Sequence, residues 1–87
     1  MKTNSADLKQ LESNIARVIS DGDKARTAGD LGMAGLFFRD AGALNHVLRN
    51  GKAGRLMDAW AVARSLDAAC REHIPAALWE ALKAEEH

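Results

Sequence analysis

Three glycines, two arginines and a histidine on one helical line are the residues of this chain whose types and spacing could do chemistry. In LGMAGLFFRDAGALNHVLR, Leu31 to Arg49, the positions Gly32, Gly35, Arg39, Gly42, His46 and Arg49 recur at steps of 3-4-3-4-3 and so share one face of a helix. The stripe is thin where the glycines lie and basic where Arg39, His46 and Arg49 lie. Glycine inside a helix costs about 1 kcal/mol relative to alanine, so three on one line imply that the backbone is approached closely there. Either a neighbouring helix of the same chain or a docked partner would satisfy that. Directly after the stripe, Asn50-Gly51-Lys52-Ala53-Gly54-Arg55 reads as a glycine-rich basic loop opening a helix, where free backbone N–H groups and the helix dipole can hold an anion. It has no preceding strand and lacks the Walker spacing, which argues against nucleotide binding. An ordinary interhelical turn accounts for it most simply; contact with a nucleic-acid backbone, aided by Arg49 and Arg64, is the alternative.

Other reactive side chains are sparse. Cys70 is the only cysteine, which excludes an internal disulfide and a multi-cysteine metal site, and it falls on an apolar helical stripe as a small buried hydrophobe would. His46, His73 and His87 show no metal-ligand spacing, so no metal and no cofactor are expected. Glu85 and Glu86 read as an acidic, fraying end, and Asp58 and Asp67 as helix-surface residues, so no catalytic carboxylate pair is indicated. Trp60 and Trp79 read as core, Trp79 at its edge.

The elements that must position these residues are all helical. Leu8, Leu11, Ile15, Val18 and Ile19 recur at heptad-like spacing and Gly22, Ala25 and Ala28 continue the line, predicting one long helix from an Asn4 or Ser5 cap to about Ala28, with Gly22 as an alternative stop. Ala28-Gly29-Asp30 is a turn signal, with glycine free to adopt the left-handed conformation and aspartate to cap the next helix. The central helix then carries two apolar stripes, Ala34, Phe37, Phe38, Ala41, Leu44, Leu48 and Met33, Leu36, Ala43, Val47, and is expected to stop at Asn50-Gly51. A third helix is expected over about 54–71, buried through Leu56, Ala59, Trp60, Ala63, Leu66 and Cys70. His73-Ile74-Pro75 reads as a corner into a short fourth helix from Ala76 to about Glu85. No period-2 alternation points to a strand.

Gly22 and Gly29, seven apart, followed by Ala34, Phe38 and Ala41 at small-large-small positions, make residues 15–48 resemble one tetratricopeptide helix pair. The next 34 residues do not repeat it, since Glu72 and Pro75 stand where an aromatic residue and an alanine would follow, and a solenoid needs about three repeats. The resemblance implies a hairpin geometry and a protein-binding scaffold. Separately, Arg39 and His46 with six residues between them resemble the Arg-x6-His spacing of helical ribonucleases of the HEPN class, which would imply a dimer converging two such pairs on a phosphodiester.

Composition narrows the classes. Twelve basic residues balance twelve acidic ones, and 47% of the chain is hydrophobic, so neither whole-chain disorder nor a globally basic nucleic-acid binder is indicated. Charge is uneven, however: Lys24 to Arg55 holds six basic residues against Asp30 and Asp40, and the stretch from Glu72 onward is acidic. No apolar run approaches the roughly 18 residues of a membrane span and no signal-peptide core is present, so membrane association is not expected and the cytoplasm is the expected compartment.

These features predict residues 1–87 to form a single all-α domain, an antiparallel hairpin plus a third helix and a short fourth. The central helix is apolar on too many sides for so small a unit to cover, which points to a homodimer or another protein as partner. A non-catalytic interaction module, an adaptor, co-chaperone or inhibitor, is therefore expected, docking through Gly35, Arg39, Gly42, His46, Arg49, Lys52 and Arg55. Nucleic-acid binding by the basic segment 39–55 is the second expectation and a HEPN-like ribonuclease the third.

Overall fold

The computed structural model describes residues 5–86. The expected cap Asn4, and His87, lie outside them. The described chain is five helices, α1 Ser5–Thr27, α2 Leu31–Lys52, α3 Leu56–Ser65, α4 Ala68–Arg71 and α5 Ala76–Lys83, with no strand among the described residues. Helix α1 runs unbroken through Gly22. It pairs antiparallel with α2, as three contacts along the seam show: Glu12 bonds Lys52, Gly51 meets Leu8, and Gly22 meets Phe38.

Two glycines let the helices approach. A Cβ on Gly22 would lie 2.7 Å from the Phe38 ring, and one on Gly51 2.9 Å from Leu8 Cδ2. Both long helices end in the same device. The N–H of Asp30 reaches the carbonyl of Ala25 at 2.9 Å and that of Gly29 reaches Arg26 at 3.0 Å; after α2, Arg55 reaches Asn50 at 2.9 Å and Gly54 reaches Gly51 at 3.2 Å. This is a Schellman closure, and its left-handed residue is glycine each time, Gly29 at φ 83° and Gly54 at φ 77°. Asp30 then caps α2 by accepting from the Met33 N–H at 3.0 Å.

Two element boundaries differ from expectation. Helix α2 continues through Asn50 and Gly51 to Lys52, because Gly51 is a helical contact with α1 and Gly54 is the residue that takes the positive φ. The basic loop is therefore a short turn whose first three residues are helical. The expected third helix is two: Leu66 is extended at ψ 148°, and Asp67 restarts the chain by accepting from the Cys70 N–H at 2.9 Å. Local side chains compete with helix continuation here. Ser65 donates to the Val62 carbonyl and Arg71 to that of Leu66.

Helices α3 to α5 fold against one end of the hairpin. The core joins Leu11, Ile15 and Val18 of α1 with Ala41, Leu44, Val47 and Leu48 of α2, then Ala59, Trp60, Ala63, Cys70, Ile74, Leu78 and Leu82. Buried Asn14 ties α1 to the corner before α5, donating to the His73 carbonyl at 2.7 Å while accepting from Gln10 and Arg17. Trp60 and Trp79 meet edge to face at 4.8 Å between centroids, and Arg71 lies 4.8 Å over Trp79. Glu86, expected to fray, accepts from Trp60 Nε1 and from Arg64, each at 2.8 Å, and so clamps the residues after α5 onto α3.

The main core cluster takes no residue from the hairpin's other end, where Ala34 is buried apart from it. A 23-residue helix is about 35 Å long and α3 only about 15 Å, which accounts for extents of 44 × 22 × 19 Å. Substituting Gly22→Val forces the Phe38 ring off its seat; overpacking of this kind costs about 1–3 kcal/mol, and thermal unfolding by circular dichroism should register a melting temperature several degrees lower.

Candidate functional site

The residues expected to dock a partner lie together on the outside of α2 and the turn that follows it. Gly35, Arg39, Gly42, His46, Arg49, Lys52 and Arg55 are all exposed. Three of the cations are engaged within the chain. Arg39 lies 3.8 Å from Asp40 and 4.0 Å from Asp67, Lys52 donates to Glu12 at 2.9 Å, and Arg55 donates to Asn50 Oδ1 at 3.0 Å. The first two are solvent-exposed ion pairs, of a kind worth little to stability. The side chains of His46 and Arg49 have no hydrogen-bonding or ionic partner among the described residues; His46 contributes only its carbonyl, which accepts from Asn50.

The glycines of the stripe behave unlike Gly22 and Gly51. A Cβ on Gly35 or Gly42 would meet nothing within 4 Å, and one on Gly32 only the carboxylate of Asp30 at 3.8 Å. Close approach by a helix of the same chain, one of the two explanations for them, is not found. They leave backbone open to the outside.

The hairpin end carries what the sequence did not single out as a site. Leu31 is 70% exposed, Met33 43%, Leu36 45%, Phe38 37% and, facing them from α1, Ile19 42%. Met33 and Leu36 lie on the line that Asp40, Ala43 and Val47 continue toward α3, and α4 reaches that line at Asp40, whose carbonyl lies 3.9 Å from Cys70 Sγ. Nearer the tip it is bare. Phe38 and Ile19 lie on another side, bordering a groove of about 360 Å3 between α1 and α2. The usable signal was apolar breadth: two apolar stripes along α2 are more than so small a unit can cover.

No group of three or more His, Cys, Asp and Glu residues suited to a metal ion occurs among the described residues. Cys70 is 2% exposed. Burial first, then the carboxylates of Asp40 and Asp67, raises its thiol pKa to about 11, so the nucleophilic thiolate is suppressed at neutral pH. No helix among the described residues is long and apolar enough to cross a membrane.

No known protein family, curated protein or solved structure matches this chain. The functional reading accordingly rests on its own geometry.

Two outcomes follow from that geometry. Gly35→Ala adds a methyl group to open space and restores helix propensity, so in dilute solution it should raise stability by about 0.5–1 kcal/mol, measured by urea unfolding. A native thiol assay should find Cys70 inert at neutral pH and fully reactive in denaturant. Because its folded pKa lies above the unfolded value of 9.0, the stabilisation from keeping it protonated is complete below pH 9 and is lost as pH rises toward 11.

Proposed function

We propose that this protein is a non-catalytic interaction module that presents the free end of its α1/α2 hairpin to another protein. One observation carries this reading: five large apolar side chains, Ile19, Leu31, Met33, Leu36 and Phe38, are each more than a third exposed at one end of the molecule. Scattered exposed hydrophobic residues need no explanation, but a cluster marks an interaction surface, and four of these five stand within eight residues of α2. The mode is an adaptor, co-chaperone or inhibitor that offers a preformed helical face. Met33 and Leu36 provide the apolar contact and the Arg39, His46, Arg49 stripe provides a polar rim, the layering typical of protein interfaces. The absence of a membrane-spanning helix among the described residues and the free, buried Cys70 are compatible with a cytoplasmic site of action. Self-association belongs to the same reading, since α2 is apolar on more than one exposed side.

Nucleic-acid binding through segment 39–55 has weaker support, because Arg39 and Lys52 already face carboxylates of the same chain. Phosphate contacts would make affinity fall steeply with salt, and that dependence separates the two readings. For the ribonuclease reading the pertinent change is His46→Ala, which should leave RNA-cleaving activity at background in both forms.

The interaction reading is tested by capture from host lysate, with nuclease treatment, using wild type beside the Met33→Glu, Leu36→Glu double variant. Wild type should retain a stoichiometric protein that the variant loses, with melting temperatures close together because exposed substitutions usually change stability by no more than about 0.5 kcal/mol. Capture of nuclease-sensitive material instead would move the basic segment to first place.

A further inference from the structure

Along one outer line of α2, large and small residues alternate: Leu31, Gly35, Phe38 and Gly42, at steps of four, three and four. Leu31 is 70% exposed and makes the largest apolar projection on that line, while both glycines open onto empty space. Beside Gly42 the surface dips into the groove of about 360 Å3 already noted, walled by Phe38, Ala41, Gly42 and Asn45 of α2 and by Ile15 and Ile19 of α1. The four α2 residues stand at i, i+3, i+4 and i+7. That is the four-residue hole which receives a side-chain knob in helix packing. The groove is roomy beside the roughly 30 Å3 share of a water molecule and its lining is mainly apolar, with Asn45 its one polar side chain, so an apolar side chain suits it.

We infer that the occupant of this hole is Leu31 of a second copy of the chain, the two α2 helices crossing antiparallel about a two-fold axis. In such an isologous contact, if one position meets another, the reciprocal contact also forms. With the axis midway between Leu36 and Phe37, Leu31 faces Gly42 and Phe38 faces Gly35, so every large residue on the line meets a small one, twice over. A parallel in-register pair would set Leu31 on Leu31 and leave the hole empty. One face thus carries both the knob and the hole that fits it, which a surface made for an unrelated partner has no reason to do. No ionisable side chain lines the hole, so seating Leu31 there buries no charge. A stable dimer buries about 800 Å2 per partner, more than a single helical line supplies, and Ile19 extends the face onto α1. This inference deepens the interaction reading and rests on it, but it uses a different side of α2 from Met33 and Leu36.

The test is light scattering on the full chain over a range of concentrations, with disulfide trapping. Wild type should have the mass of a dimer. Leu31→Ser should weaken dimerisation at least tenfold, and Gly42→Leu, which fills the hole from within, should do the same. Neither change should lower the monomer's melting temperature appreciably, since Leu31 is mostly exposed and Gly42 faces open space. Leu31→Cys combined with Gly42→Cys should give a covalent dimer on oxidation. Within one helix those positions are about 16 Å apart, beyond the roughly 7 Å a disulfide tolerates, so only the two-fold pairing can join them. Buried Cys70 does not compete. A wild type that stays monomeric at every concentration overturns the inference, as does a dimer that is indifferent to Leu31→Ser and cannot be trapped. A monomer whose captured protein is lost with Leu31→Ser would give the hole to a foreign partner and overturn it too. A dimer broken by Met33→Glu, Leu36→Glu and not by Leu31→Ser would place the self-contact elsewhere. The lysate capture with the Met33 and Leu36 variant is read separately, so the broader reading can fail while the dimer stands, and the reverse.

Discussion

Everything in this structure depends on the seam between α1 and α2. Leu11, Ile15 and Val18 on one helix and Ala41, Leu44 and Leu48 on the other make a small hydrophobic strip that no single helix could bury alone. Close approach at two points holds them alongside one another: the Phe38 ring lies on Gly22, and Leu8 reaches Gly51. Each contact exists because one partner lacks a side chain. The remaining helices are added to this pair; polar ties reach back to it through Asn14 to the His73 carbonyl and through Arg39 to Asp67, while Glu86 joins the residues after α5 to α3.

A long hairpin with a short cap leaves the tip uncovered. Helix α2 is amphipathic in its second half, where α3 packs, and apolar on several sides toward the tip, where the later helices reach no further than Arg39 and Asp40. The same residue types therefore behave differently a few turns apart: Val47 is 1% exposed, whereas Leu36 is 45%. Exposed apolar area of this sort lowers solubility and contributes nothing to the monomer's fold. The open glycines compound this, since each weakens the helix while relieving no crowding inside the chain. Both costs become intelligible together if the surface is completed by another molecule.

The charges tell a complementary story. Several residues that look like free surface groups in the sequence are structural once folded. Glu86 holds Trp60 and Arg64, and Asp67 restarts the chain after Leu66. What stays uncommitted among the described residues is narrower than the basic stripe suggested, namely the side chains of His46 and Arg49. Any polar recognition on this face begins with those two and must compete with carboxylates for Arg39 and Lys52.

The sequence by itself determined the all-helical class, the hairpin, the turn at Gly29-Asp30 and the corner before Pro75. Each of these follows from local chemistry: hydrophobic period, a glycine free to take positive φ, a side chain that caps, a ring that blocks helix continuation. It also pointed to a central helix too apolar to be covered. Only the tertiary structure decided which glycines are contacts and which are open, because Gly22, Gly51, Gly35 and Gly42 are alike in composition and differ only in what lies opposite them. The same is true of the stop at Gly54 in place of Gly51, the break at Leu66-Asp67 and the exposure of Phe38 and Leu31. The exposure of Phe38 and Leu31 depends on how far the later helices reach along α2, a distance set by packing, and the stop at Gly54 on the Leu8 contact that keeps Gly51 helical.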